Sequence, residues 1–390
     1  MSFSSSRFAP LLAIGALWVA SLTACETPPP GGDGGLGDSG AASDAGPSTD
    51  GGDRVDGGGE GARCEGLAAD PPATECAPAA TDYAPGAGTW PACVSDAGEY
   101  VRIQPGVSSI ARVMAYEEIR ALLFDPRRDP SPMQFLDARL IYQRDEGLDS
   151  RVVRRYDPHY AVPDGTDCAI DGVPEAHPDY CVGPARLGPL LLASFAAGIS
   201  GDAAEPARAH AARIEAALLW FLAVSTYKET LTCTTTARDC DSGYAYYAGG
   251  EPARGGIGLA GEVARVNAAA HDRAWDGLLA VRCWRDLDPA DTATDTALRD
   301  RAREQLDRAV VEGVAAILRD RLTRACAAGA AELAYHWAFA KTLAPLFDRA
   351  VRARDASAAD ALAAALAPST AADADVAAAV AAIDAAFDCR

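Results

Sequence analysis

The chain lacks the short motifs that identify the common enzyme classes. It contains no G-x-S-x-G, no H-E-x-x-H, no phosphate-binding loop and no dinucleotide fingerprint, which excludes the hydrolases, zinc proteases and nucleotide-binding enzymes that depend on those motifs. The glycine-rich stretch at 255–258 follows a loop pattern rather than a strand, so it does not predict a phosphate site. A hydrolase that works with two carboxylates stays open, because such acids can come from anywhere in a sequence.

Positive charge is scarce. Lys228 and Lys341 are the only lysines, and 35 basic residues stand against 55 acidic ones, for a formal net charge of −20. Nucleic-acid backbones are bound by clustered cations, so this balance argues against a nucleic-acid partner. An acidic surface is compatible with cation binding or with solubility alone.

The usual signature of a thiolate metal site is missing, since no C-x-x-C occurs among the 11 cysteines. Without Cys25 an even number remains, which in an exported chain predicts disulfides. Proximity along the chain predicts the pairs Cys168–Cys181 and Cys233–Cys240. Cys283 and Cys326 end long helical stretches and could staple them. The partners of four further cysteines stay open: Cys64, Cys76, Cys93 and Cys389.

The first 25 residues have the layout of an export signal. Arg7 provides a positive region, residues 8–19 are almost wholly apolar, and small residues lead to Cys25. The segment Leu22–Cys25 resembles a bacterial lipobox, whose cysteine is lipidated and becomes the new N-terminus. We therefore predict a signal peptide at 1–24 and a lipid anchor on Cys25, with the outer membrane favoured because Glu26 follows. An ordinary signal peptide or an uncleaved anchor helix stays open.

The rest of the chain divides by composition. Residues 25–62 are rich in Gly, Asp, Ser and Pro, which predicts a flexible tether. Residues 63–106 are rich in Cys and Pro without periodicity, and predict an irregular segment pinned by disulfides. Residues 107–390 predict a helical domain, as one bundle or as two sub-bundles that divide near a long loop at 157–183.

Apolar residues recur at helical spacing through this domain. One stretch places them at i, i+4, i+7 and i+8: Ile214, Leu218, Phe221 and Leu222. Ser131–Pro132 has the order of an N-cap followed by a first-turn proline. The stretch 257–285 predicts a single long helix, and no segment alternates for long with the period of a strand. The predicted fold class is all-α, a multi-helix bundle.

Two polar pairs on predicted helices are candidate metal ligands. Glu332 and His336 stand at i, i+4 on one helix face, a spacing that suits two ligands or a carboxylate that orients an imidazole. His271 and Asp272 lie one turn before Trp275 on a helix predicted to be buried. For both pairs the alternative is a hydrogen-bonded contact within ordinary helix packing.

A third candidate is the tyrosine-rich segment after the Cys233–Cys240 loop. Tyr246 and Tyr247 stand in it, and their phenol oxygens are hard ligands suited to a hard cation such as Fe³⁺. We predict that this segment forms a loop between helices. The alternative is that the tyrosines pack one end of the bundle with their hydroxyls in water.

Two segments resemble those of low-iron-inducible periplasmic (Fe-assimilating) proteins, an exported helical family. They are Tyr244–Gly250, which reads Tyr-Ala-Tyr-Tyr-Ala-Gly-Gly, and Trp337–Leu346. The resemblance spans about residues 105–390. It implies a helical fold and a part in iron acquisition, without a settled ligand set. The chain departs from that family in its lipobox and tether, which would fix it to a membrane.

A weaker resemblance is to imelysin-like helical lipoproteins. The His-x-x-Glu motif expected there is missing, because Phe339 stands three residues after His336 and Ala274 three residues after His271.

Three functional hypotheses follow. The first is a lipid-anchored extracytoplasmic protein that acquires iron or another hard cation. Its candidate ligands, which would meet at one end of the bundle, are Glu332, His336, His271, Asp272, Tyr246 and Tyr247. The second is a surface binding or structural module without a metal. The third is a carboxylate-based hydrolase, whose mark would be a concave pocket that holds acids of raised pKa. A non-catalytic role is favoured over an enzyme.

Overall fold

A computed structural model describes residues 64, 66–67, 76–145, 147–201, 204–251 and 253–389. The predicted signal peptide, Cys25 and the predicted tether all lie outside these residues. Over the described ranges the chain forms thirteen α-helices and no β-strand, which confirms the all-α prediction. The helices are α1 (Ser109–Leu123), α2 (Pro132–Tyr142), α3 (Asp149–Val152), α4 (Val173–Ala176), α5 (Gly188–Ser200), α6 (Ala207–Thr232), α7 (Arg238–Ala248), α8 (Leu259–Val266), α9 (Ala268–Leu287), α10 (Thr296–Ala327), α11 (Ala330–Arg352), α12 (Ala356–Ala365) and α13 (Val376–Ala386).

The long helices α6, α9, α10 and α11 form the centre of the bundle. Helix α6 packs on α7 and α11, and α10 packs on α9 and α11. Because α6 buries residues on all its faces, it lies in the core rather than at the surface. A Cβ atom at Gly277 would stand 2.7 Å from the Cα atom of Leu306, so glycine is required where α9 crosses α10 closely. Among the described helices none is long and apolar enough to cross a bilayer.

Local signals fixed several helix ends as predicted. The hydroxyl of Ser131 accepts from the backbone N–H of Gln134, whose side chain accepts from the N–H of Ser131. This capping box precedes Pro132 in the first turn of α2, so the predicted start is correct.

Two local predictions were wrong. The stretch 257–285 is not one helix, because Asn267 is extended and its side chain caps α9 by accepting from the N–H of Ala270 at 3.0 Å. The tyrosine-rich segment is not a loop but the helix α7. It ends at Ala248, and its C-cap residue Gly249 has a left-handed conformation with a φ of 68°.

The segment before α1 is irregular and tied to the helices by disulfides, as predicted. The bonds are Cys64–Cys326, Cys76–Cys389 and Cys93–Cys283. Cys283 and Cys326 therefore each link a helix to this segment. The predicted pairs Cys168–Cys181 and Cys233–Cys240 are confirmed.

Side chains from the bundle also hold the backbone of that segment. Gln305 donates to the carbonyl of Tyr83 and accepts from its N–H, both at 2.8 Å. The buried carboxylate of Asp241 accepts from the N–H groups of Ile103 and Gln104 at 2.9 and 2.8 Å. These side chains supply hydrogen-bond partners to backbone groups that no helix or strand ladder pairs.

Candidate functional site

Glu332 and His336 lie in a cleft of about 480 Å³. Its walls come from α1, α6, α8, α10, α11 and the turn after α1. We call it the arginine cleft, because its charged lining consists of Arg120, Arg127, Arg265, Arg321 and Arg324 with Glu215, Glu262 and Glu332. Five arginines against three glutamates make it locally basic in a protein of net charge −20.

The floor of the arginine cleft is a buried ion pair. A guanidinium nitrogen of Arg321 lies 2.7 Å from a carboxylate oxygen of Glu215, whose other oxygen accepts from the hydroxyl of Tyr335 at 2.6 Å. The guanidinium also lies over the ring of Phe339. Burial raises the pKa of Glu215, and the positive charge of Arg321 opposes that rise. Such a pair is costly to break, because one partner would stay charged in a dry site.

Glu262 joins the floor to the rim. Its carboxylate contacts Arg120 at 3.0 Å and Arg265 at 2.9 Å, and lies 3.7 Å from Arg321. Asp320 in turn contacts Arg265 at 3.6 Å and Arg324 at 2.9 Å. Each guanidinium carries five N–H donors, so one or two ion pairs leave donors for a ligand.

His336 contributes an uncharged imidazole to the arginine cleft. Its side chain is buried, and its pKa is lowered to about 3 by burial first and then by the charges of Arg321, Arg324 and Arg265. The imidazole is therefore uncharged at neutral pH, and its buried Nδ1 atom has no hydrogen-bond partner in the described chain. Glu332, one turn earlier, is half-buried and makes no ion pair within that same part of the chain.

The second predicted histidine has different surroundings. The ring of His271 lies nearly parallel to that of Tyr247, whose hydroxyl oxygen is 3.2 Å from Nδ1. Burial raises the pKa of Tyr247 and lowers that of His271. The phenol therefore keeps its proton and the imidazole stays neutral, so this contact is a hydrogen bond in the core and not a phenolate ready for a metal.

The side chains of the two remaining candidates have other partners. Asp272 is directed to Arg254, at 2.9 Å, on the exposed side of α9. Tyr246 packs edge-on against Phe221, with the guanidinium of Arg155 5.4 Å from its ring centroid. The structure thus brings together Glu332 with His336 and Tyr247 with His271. In the described ranges no three His, Cys, Asp or Glu side chains form a group that could hold a metal ion.

The mark expected of a carboxylate hydrolase is present in a cavity of about 270 Å³, where burial raises the pKa of Glu312 to about 7 and which Asp82 and Asp388 also line. In the arginine cleft the mark is present only in part. The arginine cleft is concave and holds Glu215, an acid of raised pKa. Both oxygens of Glu215, however, are engaged by Arg321 and Tyr335. Glu215 therefore binds two buried side chains and holds the arginine cleft together.

The sequence patterns missed most of the arginine cleft. Glu215 was available as a signal, because it is a charged residue within an apolar helical stretch. Buried charges require a partner, so Glu215 predicts a buried cation, which the structure shows to be Arg321. Their pairing across 106 positions is a contact that periodicity cannot supply.

No protein family, curated protein or solved structure matches the chain in the comparisons. The resemblances to low-iron-inducible periplasmic proteins and to imelysin-like lipoproteins therefore stay predictions.

Proposed function

We propose that this protein is a non-catalytic, lipid-anchored binding protein outside the cytoplasm, and that it captures ferric iron as an anionic carboxylate complex in the arginine cleft. The observation that carries the proposal is that Glu332 and His336 share one cleft with five arginines. The lipid on Cys25 would hold the protein at the envelope, with the outer membrane favoured.

The chemistry of the cleft favours a complex over a bare ion. A carboxylate and a neutral imidazole are two ligands for Fe³⁺, whereas a stable protein site for a bare ion needs more. A carboxylate chelator fills the remaining positions of the metal and carries negative charge outward. Arg120, Arg265 and Arg324 can bind those oxygens, since guanidinium groups match carboxylates in charge and shape.

The proposed location has separate support. Five disulfides join described cysteines, and structural disulfides persist in oxidising compartments. Replacement of Cys25 by Ser should abolish incorporation of labelled palmitate. Equal labelling of the Cys25→Ser variant and the wild type would refute the anchor.

The ligand proposal is tested by equilibrium dialysis of the purified chain against ferric citrate, with bound iron measured by mass spectrometry. We expect iron to bind, and Glu332→Gln and His336→Ala each to reduce its affinity at least tenfold. Asp272→Asn is the matched control, because Asp272 lies on another surface and should change nothing.

Dialysis against citrate without iron distinguishes binding of a ferric complex from binding of a metal-free anion. Equal affinity for citrate and ferric citrate, unchanged by the Glu332 and His336 variants, would refute the metal. It would support a metal-free binding module. Failure to bind either one would refute the arginine cleft as the site for such complexes.

A further inference from the structure

A second cavity, of about 510 Å³, lies between α11, α12 and the loop at 157–183. It shares no lining residue with the arginine cleft. One part of its wall is apolar and comes from the two helices: Ala344, Pro345, Ala359, Leu362, Ala363 and Leu366. We call it the α11–α12 cavity. Its volume lies within the range of about 300–1,000 Å³ that small-molecule sites occupy.

The charged part of the wall is unbalanced. Four cations line it against two acids, Asp179 and Asp348. Asp179 contacts Arg186, and Asp348 contacts Arg352 at 3.0 Å. The cations that remain are Lys341 and Arg349.

Neither of these two cations has a carboxylate partner. The Nζ atom of Lys341 donates to the carbonyl of Pro368 at 2.8 Å and lies 5.7 Å from the ring centroid of Trp337. Arg349 makes no side-chain hydrogen bond or ion pair with the described chain, and its buried Nε atom is unpartnered. A guanidinium beside an apolar wall without a direct carboxylate partner is poorly compensated, and an anionic ligand would supply that contact.

A neutral donor stands in the same cavity. The pKa of Tyr160 is raised to about 12 by burial first and then by the charges of Asp179 and Asp157, so its phenol is protonated at neutral pH. Arg349 is close enough for its charge to act on this phenol. The hydroxyl of Tyr160 makes no hydrogen bond with the residues the structure describes, which leaves it free to donate.

We propose that the α11–α12 cavity binds a small monocarboxylate with an apolar body, such as a medium-chain fatty acid. The carboxylate accepts from the guanidinium of Arg349 and the hydroxyl of Tyr160. The hydrocarbon chain lies on Ala344, Leu362 and Leu366. A carboxylate matches the planar guanidinium in a bidentate contact. A small hydrophilic anion would make that contact but would not be stabilised by the apolar wall, so a ligand with an apolar body is favoured. This site is independent of the iron proposal, because it uses other residues.

Titration calorimetry of the full chain with decanoate tests this site. Decan-1-ol and decyltrimethylammonium serve as neutral and cationic ligands of the same chain length. We expect decanoate to bind at least tenfold more tightly than decan-1-ol, because only the anion gains a charge-assisted bond. Because a lipid-anchored chain is kept in detergent, each affinity is corrected for the uptake of that ligand by detergent, measured without protein.

Three variants locate the ligand. Arg349→Gln should weaken decanoate binding about tenfold and leave decan-1-ol unchanged. Ala363→Phe, at an exposed position on the rim, should block both ligands without disturbing the core. Arg352→Gln is the matched control, since Arg352 already pairs with Asp348 and Asp360 and should keep full affinity.

Two results would overturn the proposal. One is equal affinity for decanoate and decan-1-ol in the wild type. The other is unchanged decanoate binding in both Arg349→Gln and Ala363→Phe, with circular dichroism showing that both variants are folded.

Discussion

His336 and His271 lie in two regions that looked alike in the sequence and differ in the folded protein. Each histidine is on a helix beside buried tryptophan, each is buried, and each has a lowered pKa. His271 is closed in by the ring of Tyr247, whereas His336 lines a cleft of about 480 Å³ surrounded by arginines. The comparison teaches that spacing on one helix does not tell a core histidine from a cleft histidine. The neighbours from other helices make that difference.

The largest expected effect tests whether the arginine cleft depends on its buried ion pair. Arg321→Met leaves Glu215 charged and unpaired, so we expect the free energy of unfolding to fall by about 3–5 kcal/mol. Urea unfolding measures it. Arg324→Met is the control: its side chain is 51% exposed, and we expect a loss below about 1 kcal/mol.

A double variant distinguishes the cost of one unpaired charge from the loss of the whole ion pair between Arg321 and Glu215. Arg321→Met combined with Glu215→Leu removes both charges and should recover much of the lost stability. Additive losses in the double variant would contradict the view that the uncompensated charge causes the damage.

A third histidine sharpens the comparison because it is charged. The ring of His159 lies between Asp157, at 2.6 Å, and Asp307, at 2.9 Å, and stacks on Tyr227. Burial opposes its charge, but these hydrogen bonds prevail and raise its pKa to about 9. This imidazolium joins the loop at 157–183 to α10.

The sign of the pH dependence follows from that rise. The stabilisation by His159 is complete below the unfolded pKa of about 6.5 and is lost as the pH rises towards 9. At about 1.4 kcal/mol for each pH unit over about 2.5 units, it amounts to at most about 3.5 kcal/mol. Unfolding free energies measured from pH 5 to pH 10 should show this loss in the wild type and not in His159→Gln.

His336 should act in the opposite direction. Because its pKa is lowered to about 3, the unfolded chain binds a proton at a higher pH than the folded chain does. Its contribution therefore weakens stability as the pH falls from about 6.5 towards 3. The His336→Gln variant should lose stability less steeply than the wild type over that interval, and an identical slope would contradict the neutral imidazole.

A smaller effect tests whether Tyr247 and His271 are core residues. Tyr247→Phe removes the hydroxyl and leaves Nδ1 of His271 without its partner, so we expect a loss of about 1–2 kcal/mol in thermal or urea unfolding. Ferric citrate binding should not change. Tyr246→Phe is the matched control, since its hydroxyl makes no hydrogen bond in the described chain and should cost less than about 0.5 kcal/mol.

The smallest expected change in stability belongs to the residue with the largest expected change in binding. Glu332 is half-buried without an ion pair, so Glu332→Gln should alter the free energy of unfolding by less than about 0.5 kcal/mol. A large loss of stability in this variant would show that Glu332 supports the fold, and the difference between the two histidine regions would shrink.

Features that depend on neighbours in sequence were predictable. The capping box at Ser131, the helical class and the two short-range disulfides all follow from contacts within a few turns of the chain. The break at Asn267 was missed because apolar periodicity continues across it, and a cap that satisfies a helix end leaves little mark on that pattern.

The candidate site was predictable only as the pair Glu332 and His336. Its arginines come from α1, the turn after α1, α8 and α10, and nothing in the local pattern of α11 indicates them. The prediction of a loop for the tyrosine-rich segment was wrong for the same reason, because residues distant in sequence bury it. Tyr244 stacks on Tyr100, from the segment before α1, at a ring-centroid distance of 3.8 Å, so a segment that looks polar enough for a loop is buried as a helix.

The sequence by itself determined most of the helices, because their hydrogen bonds and apolar faces arise within each stretch. It also determined that the cysteines could pair, although not how three of the bonds would cross separations of 190 to 313 residues. Only the tertiary structure decided which histidine lines a cleft and which cation lacks a partner. Burial and charge at a side chain are set by atoms that the packing of distant helices brings near.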